Sequence, residues 1–225
     1  MHMTSINIYA GMNSDIIEVR LIVKALTEKL VIAMQKAGES KKGFLDFTAQ
    51  GIGSALYGLQ SMSDEVPETV DLLSYFPDLI MSSTDPMTPQ DIGNSFFGIQ
   101  GFTADTEEVK NILSSLTVRM TEIPDEMKFE GRDIGHCLSG LSNKNTQIPE
   151  VATVLQELSL RLAQSKYGAE TNPVFVQSGK YIKVRLNEPL QKIGERMIDD
   201  GVRRAVKTDS VIMKDASIDA QDTDE

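Results

Sequence analysis

The chain has one cysteine, Cys137, no tryptophan and only two histidines in 225 residues. A single thiol excludes an internal disulfide and fits a reducing compartment, either the cytoplasm or an organelle. His2, His136 and Cys137 fall short of a zinc ligand set, so neither metal nor cofactor is expected. Cys137 has no orienting third group beside it, and it falls in the same repeat column as Ala55 and Ser95, which marks a small buried residue rather than a nucleophile. The chain is therefore not expected to be an enzyme. Aromatic residues make up 6%, too few for a large aromatic core. No uninterrupted apolar run approaches the ~18 residues of a transmembrane helix. The opening MHMTSINIYAG lacks the basic start and apolar stretch of a secretory signal. No D-x-[DN]-x-[DN]-G calcium loop is present, and GIGSALYG (51–58) has phosphate-loop glycines without a following Lys-Ser/Thr.

Acid is in excess. The net charge is −11, unevenly spread. Residues 161–207 carry ten basic against five acidic side chains, and residues 208–225 carry Lys214 against six acids. An acidic body weighs against a protein that depends on non-specific phosphate contacts, and residues 208–225 are expected to form a disordered acidic tail.

The chain repeats itself. IGSALYGLQSMSDEVPETVDLLSYFPDLI from Ile52, IGNSFFGIQGFTADTEEVKNILSSLTVRM from Ile92 and IGHCLSGLSNKNTQIPEVATVLQELSLRL from Ile134 align without a gap. Gly53, Gly93 and Gly135 coincide, as do Gly58, Gly98 and Gly140, and then Glu68, Glu108 and Glu150. Apolar columns follow: Leu72, Ile112, Val154; Leu73, Leu113, Leu155; Phe76, Leu116, Leu158; Ile80, Met120, Leu162. SINIYAGMNSDIIEVRLIVKALTEKL from Ser5 fits the same frame, with Glu18 opposite Glu68. Each unit reads as two helices. The first opens after Thr48 or Thr88 as N-cap, with Phe47, Met87 or Phe129 just before it to staple onto Ile52, Ile92 or Ile134. The second starts at the glutamate column, whose carboxylate suits the positive end of a helix dipole. Pro77 should kink or shorten the second helix of its unit.

On a wheel at 100° per residue, the paired glycines flank the apolar stripe of the first helix, roughly 100° and 240° from Ile52. They are expected to let two neighbours approach closely, one within the unit and one in the next. This predicts an all-α fold: an α-solenoid of four helical hairpins over residues 4–165, with units near 4–32, 48–82, 88–122 and 130–165. A C-terminal cap over 166–207 should include a short β-hairpin at 174–186. The first unit starts almost inside its first helix, which hints at a piece of a longer array.

Units of this length, with a first helix such as DIGNSFFGIQ, a Pro-Glu turn and a Leu-rich second helix such as EVKNILSSL, resemble the octotricopeptide-repeat family. The resemblance covers about four units, residues 4–165. It implies a right-handed α-solenoid that binds single-stranded RNA modularly through the variable inner face of its first helices. The tryptophan common in that helix is absent, with Tyr57 or Phe97 in its place.

Opposite the apolar stripe lie the residues that vary between units: Gln50, Ser54 and Tyr57; Gln90, Asn94 and Phe97; Arg132, His136 and Ser139. Amides, hydroxyls and a guanidinium suit base edges, and aromatic rings suit base stacking. Lys180, Lys183, Arg185, Arg203, Arg204 and Lys207 are candidate phosphate contacts. Two readings stand: a non-catalytic single-stranded RNA binder, or a protein–protein scaffold holding a peptide in the same concave groove.

Overall fold

The structure is a computed structural model and describes residues 13–39 and 47–164. Eight α-helices occupy these residues: α1 Ile17–Glu39, α2 Ala49–Tyr57, α3 Pro67–Leu73, α4 Phe76–Ser82, α5 Pro89–Gly98, α6 Glu107–Thr121, α7 Gly131–Gly140 and α8 Pro149–Gln164. Among the described residues there is no strand, so the fold is all-α. The expected first helix before Met12, the cap over 166–207 with its hairpin, the acidic tail and all six candidate phosphate contacts lie outside the described residues.

Local chemistry sets the helix starts. Thr48 caps α2 by accepting from Gly51 N at 3.0 Å. At α5 a capping box forms: Thr88 Oγ1 accepts from Asp91 N at 3.2 Å, while Asp91 accepts from Thr88 N at 2.9 Å and from Thr88 Oγ1 at 2.7 Å. At α7, Asp133 accepts from Glu130 N at 3.0 Å. Met87 and Phe129 are buried just before these caps, and Phe47 packs against the same core. The second helices begin at the glutamate column, with Glu68, Glu108 and Glu150 in first turns. Pro77 has the expected consequence: the helix breaks at Ser74 and Tyr75 and restarts as α4 with the proline in its first turn. α1 runs on past residue 32 to Glu39 because KALTEKLVIAMQKA holds no helix breaker before Gly38.

The helices form two layers. α5 packs between α2 and α7, while α1 lies on α3, and α6 packs between α4 and α8. The aligned apolar columns meet in the core: Leu72, Ile112 and Val154, then Leu73, Leu113 and Leu155, then Phe76, Leu116 and Leu158 are all buried. Ile52, Leu56, Leu59 and Met62 fill the predicted stripe of α2.

The glycines act differently from the expectation that one faces within the unit. A Cβ at Gly53 would lie 3.0 Å from Asp91 O of the following unit, and one at Gly93 would lie 3.0 Å from Asp133 Cα. A Cβ at Gly98 would run into Leu56 O of the preceding unit, and one at Gly140 into Phe96 O. Both members of a pair thus face neighbouring first helices, one forward and one backward. The reason is geometric: helices of one layer share the closest contact, so the bare backbone is needed there.

Three residues absent from the sequence reasoning tie units together. Arg119 donates to Ser83 O and Asp85 O, both at 2.7 Å, at the end of α4. Arg161, at the equivalent position of the next unit, donates to Ile123 O and Met120 O, both at 2.9 Å, at the end of α6. Lys144, in the column of Met62 and Phe102, sends Nζ to Ile99 O at 2.8 Å, Phe102 O at 2.9 Å and Gly140 O at 2.6 Å. It thereby joins the C-terminal ends of α5 and α7.

Burial pushes the Lys144 pKa down to about 7, with the Asp64 carboxylate pulling against it. In the unfolded chain a lysine titrates near ~10.4. Between these values the unfolded chain holds a proton that the folded one has released, so Lys144 contributes stability that rises with pH from about 7 to 10. The stability of wild type relative to Lys144→Met, measured by urea unfolding at pH 6.5, 8 and 9.5, is therefore expected to rise along that series. A flat difference would mean that the three carbonyls cancel the burial.

Candidate ligand cleft on the first-helix layer

The exposed side of α2, α5 and α7 carries the nine variable residues, three from each helix. Gln50, Gln90 and Arg132 are exposed near the helix starts, and Ser54, Asn94 and His136 follow one turn later, half-buried. Tyr57, Phe97 and Ser139 are half-buried at the next position. Six of the nine line one open cleft of about 350 Å³: Ser54 and Tyr57 from α2, Gln90 and Asn94 from α5, Arg132 and His136 from α7. Gln50, Phe97 and Ser139 are not among its lining residues.

Phe97 instead anchors a cluster of rings. Its centroid lies 5.4 Å from that of Tyr57, with the planes 21° apart, and 4.7 Å from that of His136. Tyr57 and His136 come within 6.3 Å although α5 lies between their helices. Helices packed at 8–10 Å would put α2 and α7 about 16–20 Å apart in a flat layer, so the two side chains lean toward each other over Phe97. The glycine contacts that draw α2, α5 and α7 together favour this convergence. His136 fills the place that the aligned Ser139 is too short to fill.

This packing leaves no room for a base between Tyr57 and Phe97. Inserting a flat ring would need about 7 Å between the two rings, twice the stacking distance, and the pair is closed at 5.4 Å. What remains accessible is the polar rim. Two carboxamides, two hydroxyls, a guanidinium and an imidazole offer donors and acceptors around one opening.

The cleft's electrostatics centre on α7. Arg132 Nε lies 3.8 Å from Asp133 Oδ1, a carboxylate buried at the helix start. Burial raises the Asp133 pKa, against the hydrogen bond from Glu130 N and the charge of Arg132. Burial, then the nearby guanidinium, hold His136 below its ordinary value, so the imidazole is neutral at pH 7 and has one donor and one acceptor nitrogen. Asp133 escaped the sequence reasoning as a neighbour of this site, although its third place in a capping box was a readable signal.

Cys137 points away from this chemistry. It is buried, and burial followed by the charge of Asp133 pushes its thiol well above the usual range, which suppresses the thiolate a nucleophile needs. Among the described residues, no group of three or more His, Cys, Asp or Glu could hold a metal ion. No helix among them is long and apolar enough to cross a membrane.

Neither a protein-family model, nor a curated protein, nor a solved structure matched this chain.

Proposed function

We propose that this protein is a non-catalytic binding module that holds single-stranded RNA along the face shared by α2, α5 and α7. The observation that carries the reading is the cleft itself: residues from three successive sequence units, at matched positions of three helices, converge on one opening. In this reading the chain is a solenoid of four helical hairpins of the octotricopeptide-repeat kind. Each first helix offers one or two polar side chains to a base. Gln90 with Asn94 and Arg132 with His136 supply hydrogen bonds to base edges, since single-stranded RNA exposes those edges. Tyr57 and His136, which border the cleft, are held by ring contacts with Phe97.

A second reading, a scaffold that holds a peptide, is favoured by the closed ring pair and by the acidic charge of the whole chain. The discriminating experiment is binding of the purified, nuclease-treated protein to a randomised single-stranded RNA pool at low and moderate salt. The RNA reading expects saturable, salt-weakened binding. It also expects Gln90→Ala with Arg132→Ala to weaken binding about 100-fold, at about tenfold per base-reading side chain. Circular dichroism should leave the helical content of that variant unchanged, because both side chains are exposed. Absence of RNA binding at either salt would sink this reading and leave the peptide.

A further inference from the structure

A modular RNA reader presents one base to each helical repeat, so its reading side chains keep the spacing of its helices. Helices packed side by side lie roughly 8–10 Å apart. Here the reading positions are drawn closer than that. Tyr57 of α2 and His136 of α7 belong to helices separated by α5, yet their ring centroids are 6.3 Å apart, less than one helix spacing. Phe97 of α5 touches both, at 5.4 Å and 4.7 Å. Polar side chains of all three helices, Ser54, Asn94 and Arg132 among them, border the same opening of about 350 Å³. That is the small end of ligand pockets, which run from about 300 to 1,000 Å³. Of the six lining side chains only Arg132 is charged at pH 7. The carboxylate next to it, Asp133, is buried and accepts from Glu130 N at 3.0 Å.

We propose that the three first helices jointly hold a single nucleotide of the RNA strand, rather than one base each; this rests on the RNA reading above. The carboxamides of Gln90 and Asn94 and the guanidinium and imidazole of α7 meet different edges of the same base. Ser54 and Tyr57 close its α2 side. The lone cation suits an anionic nucleotide, and no exposed carboxylate on the rim opposes it. The convergence of the three helices thus sets the footprint: one nucleotide for three units.

The test is titration of the full chain with 5′-AMP, 5′-GMP, 5′-CMP and 5′-UMP, then with homo-oligomers of two, three and six nucleotides of whichever base binds tightest. His136 reports occupancy of the cleft, because a His2→Ala background leaves it the only histidine and its ring proton gives one resolved NMR signal. A mononucleotide is expected to shift that signal and to saturate with a dissociation constant of about 0.1–1 mM. A trinucleotide should bind about threefold tighter, the statistical gain from three equivalent nucleotides, where a base at each of three helices would gain about tenfold per added nucleotide. Gln90→Ala and Arg132→Ala should each weaken the mononucleotide about tenfold, because both side chains bond the same base. With independent sites, either variant would leave the others intact and change mononucleotide affinity by less than about twofold. Both side chains are exposed, so the variants keep the fold. RNA that binds while the mononucleotides leave His136 unmoved overturns the single-nucleotide footprint and leaves the RNA reading standing. So does a trinucleotide about 100-fold tighter than its mononucleotide. If neither RNA nor nucleotide binds, the RNA reading fails and the footprint with it.

Discussion

Gly98→Ala is expected to lower the unfolding free energy by about 3 kcal/mol, the upper end for overpacking a tight contact. Gly93→Ala should change it by less than about 1 kcal/mol. In the alignment the two positions look equivalent, a helical glycine on either flank of an apolar stripe. In the structure they are not. The new Cβ at Gly98 would meet Leu56 O and the peptide group behind it, with Tyr57 N at 2.7 Å. All of those are backbone atoms of α2, and α2 is held by Ile52 and Leu56 in the core. Relief requires moving a helix, not rotating a side chain. At Gly93 the Cβ would lie 3.0 Å from Asp133 Cα and O, a deficit of a few tenths of an ångström. There the gain of about 1 kcal/mol in helix propensity roughly offsets the strain. Thermal unfolding followed by circular dichroism should show a fall of about 6–12 °C for Gly98→Ala, at 2–4 °C per kcal/mol in a chain of this size. The close approach of α2 and α5 would be disproved by a Gly98→Ala variant as stable as the wild type.

Arg161→Leu is expected to cost about 2–4 kcal/mol, the range for removing one partner from a buried, charge-assisted set of hydrogen bonds. The last carbonyls of a helix have no intrahelical donors. At the end of α6 the guanidinium of Arg161 supplies three N–H···O contacts, to Met120 O and Ile123 O at 2.9 Å and to Thr121 O at 3.3 Å. Its Nε donates to Glu157 at 2.8 Å, which fixes the side chain along α8. The cation also sits at the negative end of the α6 dipole, a favourable placement. Leucine is a demanding comparison because the equivalent position of an earlier unit is Leu79, which is buried in the apolar core. If apolar filling were enough, Arg161→Leu would be neutral. Arg161→Lys should recover only part of the loss, since one ammonium cannot span carbonyls that a planar fork reaches together. Urea unfolding of the two variants decides between these outcomes.

The element starts were legible because short-range chemistry fixes them. Thr48 and Thr88 cap, the glutamate column opens the second helices, and Pro77 breaks its helix where the ring denies a hydrogen bond. The core columns were legible for the same reason: a helix of period 3.6 puts matched residues on matched faces. The nine variable residues were found as a set, because a face left over after the apolar stripe is assigned must point outward. Which six of them border one cleft was not legible. That depends on how far α2, α5 and α7 approach, and the approach depends on backbone contacts at Gly98 and Gly140.

Sequence alone therefore determined that this protein is all-α over its described residues, where its helices begin, and which side of each first helix faces outward. Tertiary structure alone decided that both glycines of a pair serve neighbouring first helices and that Tyr57, Phe97 and His136 stack on one another. It also decided that Arg119, Arg161 and Lys144 bond carbonyls of residues 34 to 45 positions away, and Lys144 a nearer one as well. The division has one physical cause. Caps, breakers and periodicity act over a few residues and leave their mark in the local pattern, whereas an ångström of helix spacing is set by atoms brought together from different units.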